Sequence, residues 1–350
     1  MRREPPATRP PPPPTVLIHE DTACTRSELA EGDADEALTA RLGRYAVAHR
    51  RTLLAAEYVA TRPRDELPAL ADPHELSLRL ASCGTYLDFR RYPDLGRTRL
   101  HAARFCQLDK LCPLCAIRRA ARSMRLQASR ILHVLAGRPE LRCHLVTHTV
   151  ANGPDLAERL GHLRAALGSS TRRRRQAATR KGRSAWLDAA GGVYAIELKR
   201  GRGSGLWHPH AHAVWLLPQG VDVDELQRRV RQEWQQLTGD SHVVDVRPCH
   251  HVHDLAADEL PTAQAVAVDL VEVFKYALKF SSMELPDTLR AARLVHGRRL
   301  VSGFGLLKAV PEAPDLFDEP VPDELAFEEL LFRFAGSWLG GEYQLANHDS

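Results

Sequence analysis

The chain has 350 residues, of which 26% are charged and 44% hydrophobic, and its formal net charge is +4. This length can hold one large or two modest domains, and no run approaches the roughly 20 apolar residues of a membrane helix, so no membrane partner is expected. Seven cysteines, an odd number with three of them close together, fit metal binding better than disulfides and indicate a reducing cytoplasm.

The first 135 residues are predicted to form three regions. Residues 1–20 are a proline-rich tail that we expect to be disordered. Residues 21–77 form a helical N-terminal region, with an amphipathic helix from Leu38 to about Glu57. Residues 78–135 combine short strand-like pieces and cysteines with a basic helix over 117–135.

Residues 136–310 are predicted to form one domain with the element order β-α-β-β-α-β-α. The predicted elements are a strand at 143–150, a helix at 155–167 with Asp155 as its N-cap, strands at 193–198 and 207–217, a helix at 222–237, a strand at 243–247, a helix at 263–280 and a strand at 300–310. A short glycine-rich loop joins the two central strands, which therefore pair antiparallel, with helices packed on the sheet. The predicted fold class is α+β, an antiparallel sheet preceded by a cysteine-rich module. Residues 311–350 form an acidic C-terminal segment, in which residues 330–332 favour an amphipathic helix.

The sequence Trp207-His-Pro-His-Ala-His212 places three imidazoles at alternate positions of one predicted strand. Alternate side chains of a strand share a face, so His208, His210 and His212 project from one side. Imidazole is the commonest side-chain metal ligand, and we predict a divalent metal site holding Mg²⁺ or Mn²⁺. Glu197 on the preceding strand is the candidate third ligand, although it can also be read as a surface carboxylate. His208 could ligate instead of Glu197, or could orient a ligand.

The segment Glu272-Val-Phe-Lys275-Tyr276-Ala-Leu-Lys279 predicts a catalytic helix. On a helix Glu272 and Tyr276 share a face, and Lys279 flanks Tyr276. The unperturbed phenol pKa is about 10, so a lysine or a metal-bound phosphate would be needed to favour the phenolate. Attack on a DNA phosphate would give a phosphotyrosine and a free 3′-OH, and Glu272 could serve as general base in a second transfer. The alternative is an ordinary amphipathic helix with Glu272 paired to Lys275 or Lys279.

A cluster of cysteines predicts a structural zinc site. Cys106-x5-Cys112-Pro-Leu-Cys115, preceded by Cys83-Gly84, supplies four thiols, two of them at the Cys-x2-Cys spacing of a zinc knuckle. We predict that Cys83, Cys106, Cys112 and Cys115 bind Zn²⁺, stiffen a short basic module and direct the next helix toward DNA. Buried free thiols are the alternative.

Positive charge is concentrated between residues 81 and 210, which hold 25 Lys or Arg against 8 Asp or Glu. A basic region of this size indicates a polyanionic partner. Solvated helix faces are the alternative for any single run. The sequence has no Gly-x-x-x-x-Gly-Lys-Ser/Thr motif, which argues against an ATP-driven motor in this chain. The predicted DNA-contacting residues are Arg118, Arg119, Arg122, Arg172, Arg173, Arg174 and Arg175.

Taken together, these motifs resemble those of the rolling-circle replication initiators (Rep proteins) of small bacterial plasmids, members of the HUH endonuclease superfamily. The resemblance runs from about residue 80 to residue 310, with the motifs in the expected order. A departure is His148, which stands between Thr147 and Thr149 in a strand that is typically threonine-rich in this family. The matching segments are Cys83-Gly84, Cys106…Cys112-Pro-x-Cys115 with Arg118-Arg119, Leu145-Val-Thr147-His-Thr149, Tyr194-Ala-Ile-Glu197, Trp207-His-Pro-His-Ala-His212, Glu272-x-x-Lys275-Tyr276-x-x-Lys279 and Arg299-Leu300 with Gly305.

The resemblance implies the HUH nuclease fold, a ferredoxin-like or RRM-like arrangement. It also implies a protein that binds a plasmid double-strand origin at a single-stranded or hairpin nick site. Such a protein nicks one strand to leave a 5′-phosphotyrosine and a 3′-OH primer, and rejoins the ends at termination. His210 and His212 would be the paired metal ligands, Tyr276 the nucleophile and Glu272 the carboxylate active at termination. A host helicase and polymerase would act with it in the bacterial cytoplasm. The protein could also form a homodimer.

Three other functions fit parts of the sequence. A transposase or conjugative relaxase of the same superfamily would use the same residues on different DNA. A histidine-triad nucleotide hydrolase would use the middle histidine, His210, to attack phosphorus and would not need Tyr276. A non-catalytic zinc-containing DNA-binding regulator would need only the cysteine module and the arginines.

Overall fold

The computed structural model describes residues 34–201, 203–249, 283–308 and 325–346, together with positions 262, 265, 266, 269, 270 and 273. In this part of the chain the fold is α+β, as predicted, with two antiparallel sheets and six α-helices of defined bounds. The predicted tail at 1–20 and most of the predicted helix at 263–280 lie outside the described residues. None of the described helices combines the length and the apolar character that crossing a membrane requires.

The elements follow one another in an order close to the predicted one. They are α1 (Ala34–Ala60), α2 (Pro73–Ala81), β1 (Tyr86–Tyr92), β2 (Arg97–Ala103), α3 (Pro113–Gly137), β3 (Leu141–Thr149), α4 (Leu156–Ala178), β4 (Gly191–Arg200), β5 (Trp207–Pro218), α5 (Val223–Thr238), β6 (Val244–Pro248), α6 (Leu285–Val295), β7 (Val301–Gly305), β8 (Glu328–Gly336) and β9 (Gly341–Leu345). The predicted helices around residues 38–57 and 117–135 are confirmed.

Strands β3 to β7 form a five-stranded antiparallel sheet in the order β6-β3-β5-β4-β7. Local signals start the helices that connect them. Asp155 caps α4 by accepting a hydrogen bond from the Glu158 N–H at 2.9 Å, and Asp222 caps α5 through the Glu225 N–H at 2.9 Å. Helix α4 continues to Ala178, well beyond the predicted end at residue 167.

Strand β5 is buried on both faces of this sheet, and the two faces pack against different helices. Trp215 and Leu217 belong to a core formed with α4 and α5. Val214 and Leu216 face the other way, into a second core formed with α3. The described residues of the predicted tyrosine helix that join this second core are Val266, Leu270 and Val273. These three residues and α3 therefore lie on the same side of the sheet.

His148, the departure from the threonine-rich strand, belongs to the first core. Its ring centroid lies 4.8 Å from that of Trp234, 5.1 Å from that of Trp186 and 5.8 Å from that of Trp215. Burial lowers the pKa of His148 to about 3, so the ring is neutral and packs as an aromatic group. His148 is therefore a packing residue on the far side of the sheet from α3.

Strands β8 and β9 join the β1–β2 hairpin in a second sheet, in the order β2-β1-β8-β9. This corrects the amphipathic helix predicted around residues 330–332. Leu330 and Phe332 alternate toward a third core that also holds Leu87 and Phe89, which is the period of a strand. A short apolar run does not distinguish helix from strand, and β8 is specified by pairing with β1, far away in sequence.

Candidate active site

Strand pairing brings the predicted metal ligands together on one face of the five-stranded sheet. On β5, His210 lies opposite Glu197 of β4 and Thr149 of β3, and His212 lies opposite Thr147 of β3. Directly opposed residues of antiparallel strands share a face, with Cβ atoms about 4.5–5.5 Å apart. One donor atom from each of Glu197, His210 and His212 lies within 4.8 Å of the other two. This group, called the Glu-His-His site below, lies on the face of Val214 and Leu216.

The outer nitrogens of both rings make hydrogen bonds directed away from the centre of the site. His212 Nδ1 lies 3.1 Å from Thr147 Oγ1, and His210 Nδ1 lies 3.2 Å from the His208 carbonyl oxygen. Both rings therefore direct Nε2 toward Glu197. His210 Nε2 contacts Glu197 Oε2, and His212 Nε2 lies 3.1 Å from the same oxygen. Hydrogen bonds to the outer nitrogen fix the orientation of a metal-binding imidazole.

The electrostatics of the Glu-His-His site suit a divalent cation. Burial opposes ionisation of Glu197, but its close contacts with His210 and His212 outweigh burial and lower the pKa of Glu197 to about 2. Burial also lowers the pKa of His212, which the hydrogen bond to Glu197 only partly opposes. An ionised carboxylate beside a neutral imidazole offers lone pairs to a metal. The residues present fit the predicted ion.

His208 does not join this group. Its Nδ1 is hydrogen bonded to Asn152 Oδ1, in the loop after β3, and burial lowers its pKa. Lys199 lies opposite His208 on β4, and its Nζ is 3.2 Å from Glu197 Oε1. Sequence reasoning missed both neighbours, because Asn152 resembled an ordinary turn residue. Glu197 and Lys199 are alternate residues of β4 and share a face. The sequence could therefore have predicted that Lys199 lies beside the site.

The predicted catalytic helix is only partly described. Outside the described residues lie Tyr276, Glu272, Lys275 and Lys279. Val273 is described, is helical and buried, and lies in the core on the side of the Glu-His-His site. It also lines a cleft together with His212. Three peptide units keep the Cα atom of residue 276 within about 11 Å of that of Val273.

The four predicted zinc ligands converge at the start of α3. Their sulfur atoms lie 3.5 Å apart for Cys83 and Cys112, and 3.6 Å apart for Cys83 and Cys115 and for Cys106 and Cys115. Four thiolates around one Zn²⁺ at about 2.3 Å would be about 3.8 Å apart, whereas a disulfide would be about 2.0 Å long. Burial raises the pKa of Cys112, so ionising the cluster requires a cation. The donor set fits Zn²⁺.

Several residues outside the cysteine motif hold this cluster in place. Cys112 caps α3, since its sulfur accepts a hydrogen bond from the Cys115 N–H at 3.4 Å, and Thr52 Oγ1 lies 3.4 Å from the same sulfur. Gly84 has φ +73°, which favours glycine, and its carbonyl accepts a hydrogen bond from the Tyr343 hydroxyl at 2.6 Å. Sequence reasoning missed Thr52 and Tyr343, which come from α1 and β9.

We expect purified protein to contain about one zinc ion per chain and Cys112→Ser to contain none. Loss of the ion should lower the free energy of unfolding by on the order of 3 kcal/mol or more, because metal binding stabilises only the folded cluster. Metal analysis and denaturant unfolding measure both effects. Cys249→Ser, at a buried cysteine outside the cluster, is the matched control and should keep its zinc. Near-zero zinc in the wild type, or full zinc in Cys112→Ser, would contradict the assignment.

The predicted arginines divide between the two faces of the sheet. Arg118, Arg119 and Arg122 are exposed on α3, the helix that packs on the side of the Glu-His-His site. The Arg118 guanidinium carbon lies 3.6 Å from the centroid of the Phe105 ring, so stacking holds this side chain.

Helix α4 carries the other predicted group, Arg172 to Arg175, on the opposite side of the sheet. Arg174 turns inward, and its guanidinium donates to the carbonyl oxygens of Trp186 at 3.1 Å and Ala189 at 2.8 Å. These hydrogen bonds occupy part of the Arg174 guanidinium, and contact between Arg174 and DNA stays a prediction. Four consecutive arginines span more than the solvent face of a packed helix, so one of them turns inward.

Comparisons with known proteins add to this geometry. The profile of a family described as Replication protein matches residues 97–329, which include the Glu-His-His site, the tyrosine motif and three of the four clustered cysteines. A curated protein from Bacillus amyloliquefaciens named Protein rep is 25% identical over 299 residues, covering 80% of this chain and 84% of the relative. Another Protein rep, from Bacillus sp, is 23% identical over 318 residues, covering 84% of this chain and 99% of the relative. No solved structure matches the chain.

Proposed function

Because this chain belongs to the Replication protein family, we propose that it initiates plasmid replication by nicking one DNA strand at the origin through a covalent tyrosine. The observation that carries the proposal is the convergence of Glu197, His210 and His212 within 4.8 Å on one face of the sheet. Their Nε2 and carboxylate atoms would hold Mg²⁺ or Mn²⁺. When bound, such an ion polarises a non-bridging oxygen of a phosphodiester.

Tyr276 is the proposed nucleophile. Support comes from Val273, which lies three positions earlier, is buried on the side of the Glu-His-His site and shares a cleft with His212. We propose that the Tyr276 side chain, attached within about 11 Å of Val273, reaches a phosphate held beside His212. A tyrosine helix on the opposite side of the sheet from the imidazoles would be incompatible with the nickase hypothesis, and Val273 does not lie on that side.

The proposed step is a transesterification. The Tyr276 Oη–P bond forms, and the P–O3′ bond of the scissile phosphate breaks. The phenol proton is lost and the departing 3′ oxygen gains one, so the products are a 5′-phosphotyrosine and a free 3′-OH. Lys275 and Lys279 flank the phenol in sequence, and their positive charge would lower the pKa of the phenol. Glu272 would act as general base in the second transfer, which rejoins the ends at termination.

The zinc module and the α3 arginines would position DNA. The sulfur cluster holds the start of α3, so Zn²⁺ bound there would fix where Arg118, Arg119 and Arg122 lie relative to the Glu-His-His site. We propose that these residues contact DNA phosphates near the nick. A host helicase and polymerase would open the duplex and extend the 3′-OH, since this chain has no P-loop motif.

The histidine-triad hydrolase alternative is less well supported. It requires attack by His210, whose side chain is only 7% exposed and contacts Glu197. A nucleophile must reach phosphorus in line with the leaving group, which a buried ligand-like ring does not do.

A nicking assay tests the proposed function. Supercoiled plasmid carrying the cognate origin, incubated with the protein and Mn²⁺, should give open circles with protein attached to the 5′ end of the nick. A plasmid without the origin and a reaction with excess chelator should both stay supercoiled. Circles that stay closed under all conditions, or nicks with protein-free 5′ ends, would contradict the proposal.

A further inference from the structure

A cleft lies beside the most accessible edge of the Glu-His-His site. The side chains of Glu197, His210 and His212 are 1%, 7% and 21% exposed, respectively. The site is therefore open to solvent on the His212 side. The cleft there is small, with a volume of about 30 Å³. Its lining residues are Leu145, Val146, Thr147, His212, Ala213, Arg247 and Val273.

Arg247 is the one cationic side chain among the described residues that line this cleft. It lies on β6, opposite Leu145 of β3, while Thr147 of β3 lies opposite His212 of β5. Leu145 and Thr147 are alternate residues of one strand, so Arg247 and His212 share a face of the sheet. Asp245, the alternate residue on β6, has a carboxylate oxygen 3.9 Å from Arg247 Nε.

The spacing of the strands decides which phosphate Arg247 can reach. Strand β6 is separated from β5 by β3, and strands are about 4.8 Å apart. Two strand spacings separate Arg247 from His212 by about 10 Å across the sheet, and the two-residue offset between them adds about 7 Å along it, so their Cα atoms lie about 12 Å apart. A guanidinium at this distance would reach a phosphate next to the one at the Glu-His-His site, and not the scissile phosphate itself.

The surroundings of Arg247 suit a phosphate. The other described residues that line the cleft are mostly aliphatic and carry no carboxylate, and the carboxylate that competes for the guanidinium is that of Asp245 on the same strand. Guanidinium binds phosphate through two parallel N–H donors. The Arg247 side chain is half exposed, so solvent screens the interaction and the expected contribution is modest.

We infer that Arg247 binds a DNA phosphate adjacent to the scissile one, and so directs the single strand across the sheet from β5 toward β6. This inference rests on the proposed function, because it assumes that the scissile phosphate lies at the Glu-His-His site. It assigns to Arg247 a positioning role and not a chemical one.

The test is a phosphate-by-phosphate binding measurement. The probe is a single-stranded oligonucleotide spanning the mapped nick, with one neutral methylphosphonate placed at each position in turn. Wild-type protein should lose about 3-fold in affinity at one phosphate next to the scissile one. Arg247→Gln should bind the unmodified strand about 3-fold more weakly and show no further loss at that phosphate. Its log–log salt slope should fall by about 0.7, the value for one contact to a single strand.

Matched variants distinguish a phosphate contact at Arg247 from a folding defect or a general loss of positive charge. Arg228→Gln, at an exposed arginine of α5 on the opposite side of the sheet, should retain the wild-type profile. Arg247→Lys should restore part of the sensitivity, which a folding defect would not do. If wild-type protein nicks and binds but Arg247→Gln keeps the same methylphosphonate profile, the inference is wrong while the proposed function stands. If the wild type neither nicks nor binds the strand, the proposed function itself fails.

Discussion

Replacing Tyr276 with phenylalanine is expected to abolish covalent capture of DNA while leaving affinity for the origin within about 3-fold of the wild type. The variant lacks only the hydroxyl that forms the bond to phosphorus, so nicking should fall to background, by a factor of about 10⁴ or more. The aromatic ring is retained, so packing should change little. Denaturing gels of protein incubated with labelled DNA measure the adduct, and a binding assay without metal measures affinity.

Tyr194→Phe is the matched control for this experiment. Tyr194 lies on β4 and packs against the first core, on the far side of the sheet from the Glu-His-His site. The same loss of a hydroxyl there should leave the adduct yield unchanged. An adduct that persists in Tyr276→Phe would assign the covalent bond to another side chain.

Removing either imidazole from the Glu-His-His site is expected to slow metal-dependent nicking by at least about 100-fold. His210→Ala and His212→Ala each delete one of three donor groups, which weakens the hold on the ion and misplaces the phosphate. If weakened metal binding causes the slower nicking, a higher Mn²⁺ concentration should restore part of the nicking rate. A Mn²⁺ titration measures the nicking rate of each variant, and calorimetry measures its affinity for the metal ion.

His162→Ala provides the control for these two variants. His162 is on α4, on the opposite side of the sheet, and lies 3.3 Å from Asp240. Its loss should leave both metal affinity and nicking close to the wild type. Wild-type nicking in His212→Ala at low metal concentration would show that this imidazole does not hold the ion.

The parts of the fold that the sequence predicted are those determined by residues close together along the chain. Asp155 and Asp222 mark helix starts because a carboxylate at an N-cap satisfies free backbone N–H groups. The alternation from Trp207 to His212 predicts a strand with its imidazoles on one face, and the cross-strand register then brings Glu197 to them. Each of these features follows from residues close together in sequence.

The parts that the sequence did not predict depend on contacts between distant residues. Leu330 to Phe332 become a strand because β1, which lies far earlier in the chain, pairs with them. Arg174 turns inward because the carbonyl of Ala189 lies within its reach. His208 is held by Asn152, a residue of another loop. None of these partners can be identified from a local pattern.

Mass spectrometry of a trapped peptide–oligonucleotide adduct tests the central claim most directly, because it identifies both the nucleophile and the cut site. We predict a single peptide that carries the 5′ phosphate of the cleaved strand on the Tyr276 oxygen. An adduct on any other residue, or quantitative nicking with no adduct at any stage, would contradict a covalent tyrosine mechanism.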